Sequence, residues 1–261
     1  MDGDGMTPRK KKWLLGTLAI SLVILIVGGI YVGPYLREMS AASYIRSRGG
    51  RIEMASGRIS TVVWDGRELT KRDIEETAKL QHLQNLGLSK TNIQDDDLGK
   101  MADLSITEYL VLDNTSITGS SFHKLSAAKN LKKLVLNGSA FDDRNMSALA
   151  AAFPNLEVLI LRDTSISDAS LKELIRCPLT FVRLENTAIG DQGVRYLAEI
   201  PTLTFVGLAN TKVSDACLAE LAKLLNLKTV TLVGNQLSAE AIEEFKKLRP
   251  KIKLDWEPTE K

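Results

Sequence analysis

The segment Leu156–Ile166 reads LEVLILRDTSI, and the chain contains seven copies of this pattern at a spacing of about 24 residues. The shared pattern is Leu-x-x-Leu-x-Leu-x-x-Thr-x-Ile. One copy has Thr at the first named position, Val also occurs at the second, Ser or Asn at the fourth, and Phe, Val or Leu at the fifth. The copies start at Leu83, Thr107, Leu131, Leu156, Leu179, Leu203 and Leu227. A fixed period of this length is typical of solenoid proteins, in which each unit buries its apolar face only against its neighbours.

Each repeat predicts one short strand followed by one helix. The alternation Leu159-x-Leu161 places both leucines on one face of a strand, so the intervening side chains face the other way. The following residues Ser167–Ile175 (SDASLKELI) have the polar start and the apolar spacing of a helix. Helix N-caps are predicted at Thr70, Thr118, Ser167, Ser214 and Ser238. Stacked repeats therefore predict an α/β solenoid with a parallel sheet on one side and helices on the other.

A column of polar residues at the end of the strands has two interpretations. It consists of Thr91, Thr115, Ser139, Thr164, Thr187, Thr211 and Asn235. The column would be a functional row of hydroxyl groups if it faced solvent. We expect instead that each side chain turns inward and bonds the backbone, because buried polar groups need partners.

The pattern resembles the leucine-rich repeat family, and within it the cysteine-containing type with Thr-x-Ile-(Thr/Ser)-Asp-x-x-Leu after the strand. Ser165–Leu171 (SISDASL) and Lys212–Leu218 (KVSDACL) carry this resemblance best, and it extends over about residues 58–256. It implies parallel strands on a concave face and helices on a convex face. We find no F-box before the repeats, and the layout resembles bacterial membrane-anchored leucine-rich repeat proteins.

The N-terminal segment predicts a membrane anchor. Leu14–Val32 has no charged residue and, at 1.5 Å per residue, is long enough to cross a hydrocarbon core of ~30 Å. Trp13 and Tyr31 would lie at the membrane interfaces as anchors. The basic residues Arg9–Lys12 before the segment predict a cytoplasmic N-terminus and an exported, periplasmic or extracellular, repeat domain. A cleaved signal peptide with Ser40–Ala42 as its cleavage site is the alternative, although the apolar run is longer than such peptides have.

We divide the chain into five parts on this basis. They are a short basic cytoplasmic N-terminus at 1–12, a transmembrane signal anchor at 13–36, a juxtamembrane helix and N-terminal cap at 37–57, the repeats at 58–240, and a C-terminal cap and tail at 241–261. Atypical units are expected at both ends, because an open stack leaves its first and last cores exposed. The candidates for these end units are a hairpin over Arg51–Trp64 at one end and the amphipathic run Ala241–Leu248 followed by Lys251–Trp256 at the other.

Few residues suggest catalysis or metal binding. His82 and His123 lie in different repeats, without Cys or Asp at ligand spacing. Asp95–Asp97 lies where a helix should start and lacks the spaced oxygens and the Gly of a calcium loop. Cys177 and Cys217 occupy non-equivalent repeat positions, so we expect free, buried thiols. We therefore predict a protein without enzymatic activity, cofactor or metal ion.

The charge balance argues against nucleic acid as a partner. The chain has 34 Lys and Arg against 32 Asp and Glu. Four of the basic and two of the acidic side chains precede Arg37, so the remainder carries equal numbers of both signs. A nucleic-acid-binding domain normally has an excess of basic residues. The sequence therefore favours a protein partner.

The predicted binding surface is the exposed face of the sheet, formed by the third, fifth and seventh positions of each repeat. In the central and later repeats this face brings together Tyr109, Val111, Val135, Val158, Ile160, Arg162, Phe181, Arg183 and Phe205. Aromatic residues and Arg in an apolar patch are typical of protein interfaces. Two alternatives remain: such residues also favour strands for intrinsic reasons, and the aromatic rings would also suit a cell-envelope glycan or another small ligand.

Replacing Leu161 with Ala tests the assignment of inward positions. We expect the free energy of unfolding to fall by ~2–5 kcal/mol, because an inward leucine leaves a cavity when it is truncated. Thermal and chemical unfolding measure this loss. A melting temperature equal to that of the wild type would contradict the assignment.

Overall fold

Ten strands form one sheet in chain order within the computed structural model, which describes residues 28–101 and 104–258. The strands are β1 Arg51–Ala55, β2 Arg58–Val63, β3 Asn85–Gly87, β4 Tyr109–Val111, β5 Lys133–Val135, β6 Val158–Ile160, β7 Phe181–Arg183, β8 Phe205–Gly207, β9 Thr229–Thr231 and β10 Lys253–Asp255. β1 and β2 are antiparallel, and every later pair is parallel. The predicted parallel sheet is confirmed.

Helices connect successive strands. The α-helices are α1 Gly33–Ser47, α2 Lys71–Ala78, α3 Asp95–Lys100, α4 Met146–Ala152, α5 Asp168–Leu171, α6 Asp191–Ala198, α7 Ala216–Leu221 and α8 Ala239–Leu248. Shorter 3₁₀ segments lie at Phe122–Leu125, Asp143–Asn145 and Lys172–Arg176, and a π-helical turn at Gly28–Val32 leads into α1. Sequentially adjacent helices contact one another, so the helices form the second layer of the solenoid.

The register of the sheet follows the repeat pattern. Equivalent third positions lie side by side, from Asn85 through Tyr109, Lys133, Val158, Phe181 and Phe205 to Thr229. The leucines between the exposed positions point into the core, where Leu134, Leu159 and Leu161 have no exposed surface. The repeat that starts at Leu131 is longer than its neighbours and the next one is shorter, and loops absorb both irregularities without a change of register.

The polar column at the strand ends is structural, as predicted. Each side chain donates a hydrogen bond of 2.6–3.0 Å to the carbonyl oxygen three residues earlier, where its own strand ends. Asn235 also donates to the carbonyl of Leu208 in the preceding repeat. Thr107 occupies a leucine position and stays fully buried, because its hydroxyl donates to the carbonyl of Leu83 at 2.7 Å.

The first unit of the stack is closed by helix α1. Ala41, Ala42 and Ile45 on this helix belong to the buried core. The Glu38 carboxylate is also buried, and it accepts hydrogen bonds from Arg58 at 3.0 Å and from the backbone N–H of Ile59 at 3.2 Å. These contacts join α1 to strand β2, so this end of the core is covered.

The predicted helix caps are confirmed in part. Thr70 forms a capping box with Asp73, and the Ser238 hydroxyl accepts from the backbone N–H of Ala241. Ser167 stands at the N-cap of α5, as predicted, but without a capping hydrogen bond. Thr118 and Ser214 precede the N-cap residues, although their hydroxyls accept from the backbone N–H groups of Ser120 and Ala216 at 3.3 Å. The predicted N-cap position is wrong for Thr118 and Ser214.

Most of these polar turn residues donate hydrogen bonds to an aspartate in the preceding repeat. The donors are the backbone N–H and, where present, the hydroxyl of a residue in the next turn. The pairs are Asp95 with Thr118, Asp143 with Ser167, Asp168 with Gly190, Asp191 with Ser214, and Asp215 with Ser238, at 2.5–2.9 Å. The series of aspartates ends in the last repeat, where Ala239 stands at the equivalent position. No further turn of this kind follows in the described part of the chain.

The predicted anchor Leu14–Val32 lies outside the described residues except for 28–32. No helix in the ranges 28–101 and 104–258 is both long and apolar enough to cross a membrane. Ile30, Val32 and Leu36, at the start of the described part, expose half or more of their surfaces.

Replacing Asp95 with Asn tests the inter-repeat hydrogen bonds. Burial opposes ionisation of Asp95, but hydrogen bonds from Thr118, Ser121 and Gly119 outweigh burial and lower its pKa. Asn has one acceptor oxygen in place of two and no charge, so we expect a loss of ~1–3 kcal/mol at pH 7.

The loss should depend on pH in a defined direction. A lowered native pKa stabilises the fold above the unfolded value of ~3.9, and this contribution disappears as the pH falls through the native pKa. The difference in the free energy of unfolding between Asp95→Asn and wild type, measured with urea, should therefore be smaller at pH 3 than at pH 7. Asp96→Asn is the control, because that side chain is 92% exposed; equal effects of both variants would refute the prediction.

Candidate binding surface on the sheet face

The predicted surface residues lie on adjacent strands from β4 to β8 or directly after them. Tyr109 is the most exposed of the nine, at 42% of its surface. Val111, Val158, Ile160, Arg162, Phe181, Arg183 and Phe205 are half-buried. Val135 is buried, with 6% exposed, so its predicted exposure is wrong. It stands between Val111 and Ile160 in register, and these branched side chains flank it on both sides.

Phe181 and Phe205 form a stacked pair. Their ring centroids are 4.1 Å apart and their planes differ by 10°. The residues are paired across strands β7 and β8, whose side chains stand roughly perpendicular to the sheet. Because the rings cover each other's faces, they present edges to solvent, and the edge is the positive part of an aromatic ring.

Two arginines share one carboxylate beside this pair. Arg183 lies 5.7 Å from the centroid of Phe181 and 5.4 Å from that of Phe205. Its Nε is 3.7 Å from Oε1 of Glu185, and the Nε of Arg162 is 3.8 Å from Oε2. We call Phe181, Phe205, Arg162, Arg183 and Glu185 the Phe–Arg cluster.

Glu185 is the residue that sequence reasoning missed. Its seventh position predicts an exposed side chain, but only 7% of the residue is exposed. Space for the carboxylate comes from Gly207 on β8, where a Cβ atom would lie 2.5 Å from Oε1 of Glu185. The sequence signal for this position is a glycine on the neighbouring strand, Gly207, directly after Arg183 in the fifth-position column and near Arg162 in the seventh-position column.

Several polar atoms on this face lack hydrogen bonds. Within the described part of the chain, the buried side-chain atoms without a partner are Arg162 Nε, Glu185 Oε2, Thr231 Oγ1 and Trp256 Nε1. The first two belong to the Phe–Arg cluster. Thr231 is paired in register with Gly207, which places its hydroxyl one strand beyond the glycine. Buried polar groups are almost always paired, so three of these atoms mark this part of the face as a candidate site.

Tyr109 and Val111 do not join the cluster. Their strand β4 is three strands from β7, which corresponds to ~14 Å. The nearby face carries Asp65 and Asp113, whose carboxylates accept the backbone N–H groups of Ser89 and Asn137 at 2.9 Å. Burial raises the pKa of Asp113, and the charge of Asp65 raises it further. The early repeats therefore present acidic groups, whereas the later repeats present the arginines.

Reactive groups are not exposed on this face. Cys177 and Cys217 are free and buried, as expected, and burial raises the pKa of the first thiol to about 11 and of the second to about 12. Both thiols stay protonated at neutral pH. His82 and His123 are exposed. No group of three or more His, Cys, Asp or Glu residues suited to a metal ion occurs in the ranges 28–101 and 104–258.

Solved structures of internalins share this architecture. Internalin C2 from Listeria monocytogenes is similar over 76% of this chain and 81% of its own, with a TM-score of 0.60 and 24% identity. The chain has a leucine-rich repeat fold. A second internalin of that organism, InlF, is similar over 85% of this chain and 76% of its own, with a TM-score of 0.54 and 17% identity. No family model and no curated protein sequence matches this leucine-rich repeat chain.

Replacing Glu185 with Gln tests the charge arrangement of the leucine-rich repeat face. We expect a loss of ~1–2 kcal/mol, because Arg162 and Arg183 then face each other without a carboxylate. The loss is below that of a fully buried ion pair because both arginine side chains are partly exposed, at 41% and 35%.

Salt should reduce the effect of this substitution, since it screens the repulsion between the two guanidinium groups. Urea unfolding at 0.1 and 1 M NaCl measures the change. Glu244→Gln is the control, because Glu244 is exposed on α8. A Glu185→Gln variant as stable as wild type at both salt concentrations would contradict the arrangement.

Proposed function

We propose that this chain is a non-enzymatic, membrane-anchored protein–protein interaction module that binds its partner through the exposed face of the repeat sheet. The Phe–Arg cluster is the observation that carries the proposal. Aromatic residues and Arg dominate the binding energy of protein interfaces. Here they stand on short, hydrogen-bonded parallel strands, so little conformational entropy is lost when a partner orders them. We further propose that the repeats are of the cysteine-containing type.

The orientation of the rings favours a protein over a glycan. A sugar ring stacks on the face of an aromatic side chain. In the Phe–Arg cluster each ring covers one face of the other, at 4.1 Å, and the flanking residues in register are Val158 and Thr229. Edges suit the side chains and carbonyl groups of a protein better than the flat surface of a sugar.

The membrane anchor is part of the same proposal. The uncharged segment Leu14–Val32 supports it, with Arg9–Lys12 supporting a cytoplasmic N-terminus and an exported repeat domain. The turn Gly28–Val32 continues directly into α1, and α1 packs into the first unit of the stack. With an anchor before α1, the repeats would stand next to the bilayer without a flexible linker.

Capture of a partner from envelope extract tests the proposed function. The bait is the full chain in detergent, compared with the double variant Phe181→Asp/Phe205→Asp. The control is Leu225→Asp/Leu248→Asp, which adds the same charge at apolar side chains that are 85% and 66% exposed away from the sheet face.

We expect a protein that the wild type and the control capture and that the phenylalanine variant loses by at least tenfold. Circular dichroism confirms that each bait is folded. A partner held equally by all three baits would place the binding site on the helices or loops. Loss of binding on addition of soluble envelope glycan would favour the glycan alternative.

A further inference from the structure

The Phe–Arg cluster carries one uncompensated positive charge. Arg162 and Arg183 both approach Glu185, but at 3.8 and 3.7 Å neither Nε is within hydrogen-bond distance of the carboxylate. Both guanidinium groups remain partly exposed. Because guanidinium binds carboxylate best through parallel, short hydrogen bonds, a second carboxylate would gain contacts that Glu185 does not provide.

The aromatic pair lies beside these charges. The Arg183 guanidinium is 5.7 Å from the centroid of Phe181 and 5.4 Å from that of Phe205. An anionic group at the cluster is therefore attracted by the two arginines and has an apolar surface next to it. A cationic group at the same position is repelled by both arginines.

Small residues lie beside the arginines on the next strand. Gly207 lies between Arg183 and Thr231 in register, and the Glu185 carboxylate fills the space over it, because a Cβ atom there would lie 2.5 Å from Oε1. Ala209 follows it at the seventh position, beside Glu185 in the preceding repeat. An approaching group therefore contacts the exposed parts of the Arg162 and Arg183 side chains and does not enter a cavity.

We propose that the partner protein places an Asp or Glu side chain, flanked by an apolar residue, against this part of the sheet face. The carboxylate binds Arg162 and Arg183, and the apolar neighbour packs on the edges of Phe181 and Phe205. This inference rests on the proposed function and specifies its chemistry. Asp65 and Asp113 at the other end of the face disfavour the same acidic group there, so the acidic side chain binds at the later repeats.

A display library of random dodecapeptides tests this proposal, because selection from it requires no choice of partner. The target is the full chain in detergent, and selected peptides are measured by fluorescence anisotropy. The variant Arg162→Gln/Arg183→Gln is compared with the control Lys172→Gln/Arg195→Gln, which removes two charges from exposed helical residues.

We expect selected peptides to contain Asp or Glu next to an apolar residue. Replacing that acid by Gln or Asn in the peptide should weaken binding to the wild type and the control about tenfold, but binding to the arginine variant much less. Glu185→Gln should increase the affinity for the acidic peptides by about threefold to tenfold, because the arginines lose their internal carboxylate. Binding should also weaken with added salt.

Two other outcomes would overturn this inference, and they differ in what they mean for the proposed function. Peptides without acidic bias that Phe181→Asp/Phe205→Asp abolishes and the arginine variant leaves unchanged would overturn the inference while the proposed function stands. If every selected peptide bound the wild type and the phenylalanine variant equally well, the result would count against both the inference and the proposed function.

Discussion

Strands β3 to β9 of this solenoid have only three residues each, and the whole structure depends on that constraint. A strand of this length cannot bury its leucines or pair its backbone alone, so every repeat needs both neighbours. The polar groups at the strand ends are satisfied in the same way. The column from Thr91 to Asn235 bonds strand-end carbonyls, and the aspartates from Asp95 to Asp215 bond the turn of the following repeat.

The repeat pattern predicts the sheet, its register and its inward residues, because alternation along a strand has only two possible phases. Leu159 and Leu161 had to point inward together, and the residue between them outward. The period also predicts that the column at Thr164 is structural. Seven copies of one pattern therefore determine most of the fold before any side-chain contact is considered.

The pattern predicts the sheet face less completely. It treats Val135 and Glu185 as outward residues, and both point outward from the strands but are buried by their neighbours on the face. Their burial depends on the size of side chains one strand away, namely Val111 and Ile160 in one case and Gly207 in the other. The inter-repeat aspartates were missed for a related reason, since a Ser-Asp pair before a helix also fits an N-cap. The alternation within a strand determines the direction in which a side chain points, whereas contacts between repeats determine how much of that side chain is exposed.

The two ends of the stack differ, and this difference gives the solenoid a direction. At the first unit, Trp64 donates its indole N–H to Thr77 at 3.0 Å beneath α1, and Glu38 is paired with Arg58. At the last unit, Trp256 is only partly buried, its indole N–H has no partner among residues 28–101 and 104–258, and Leu248 is exposed. Fraying in a linear array starts where the terminal unit has the fewest contacts. We therefore expect local unfolding to begin at the β10 end and to proceed toward α1 one repeat at a time.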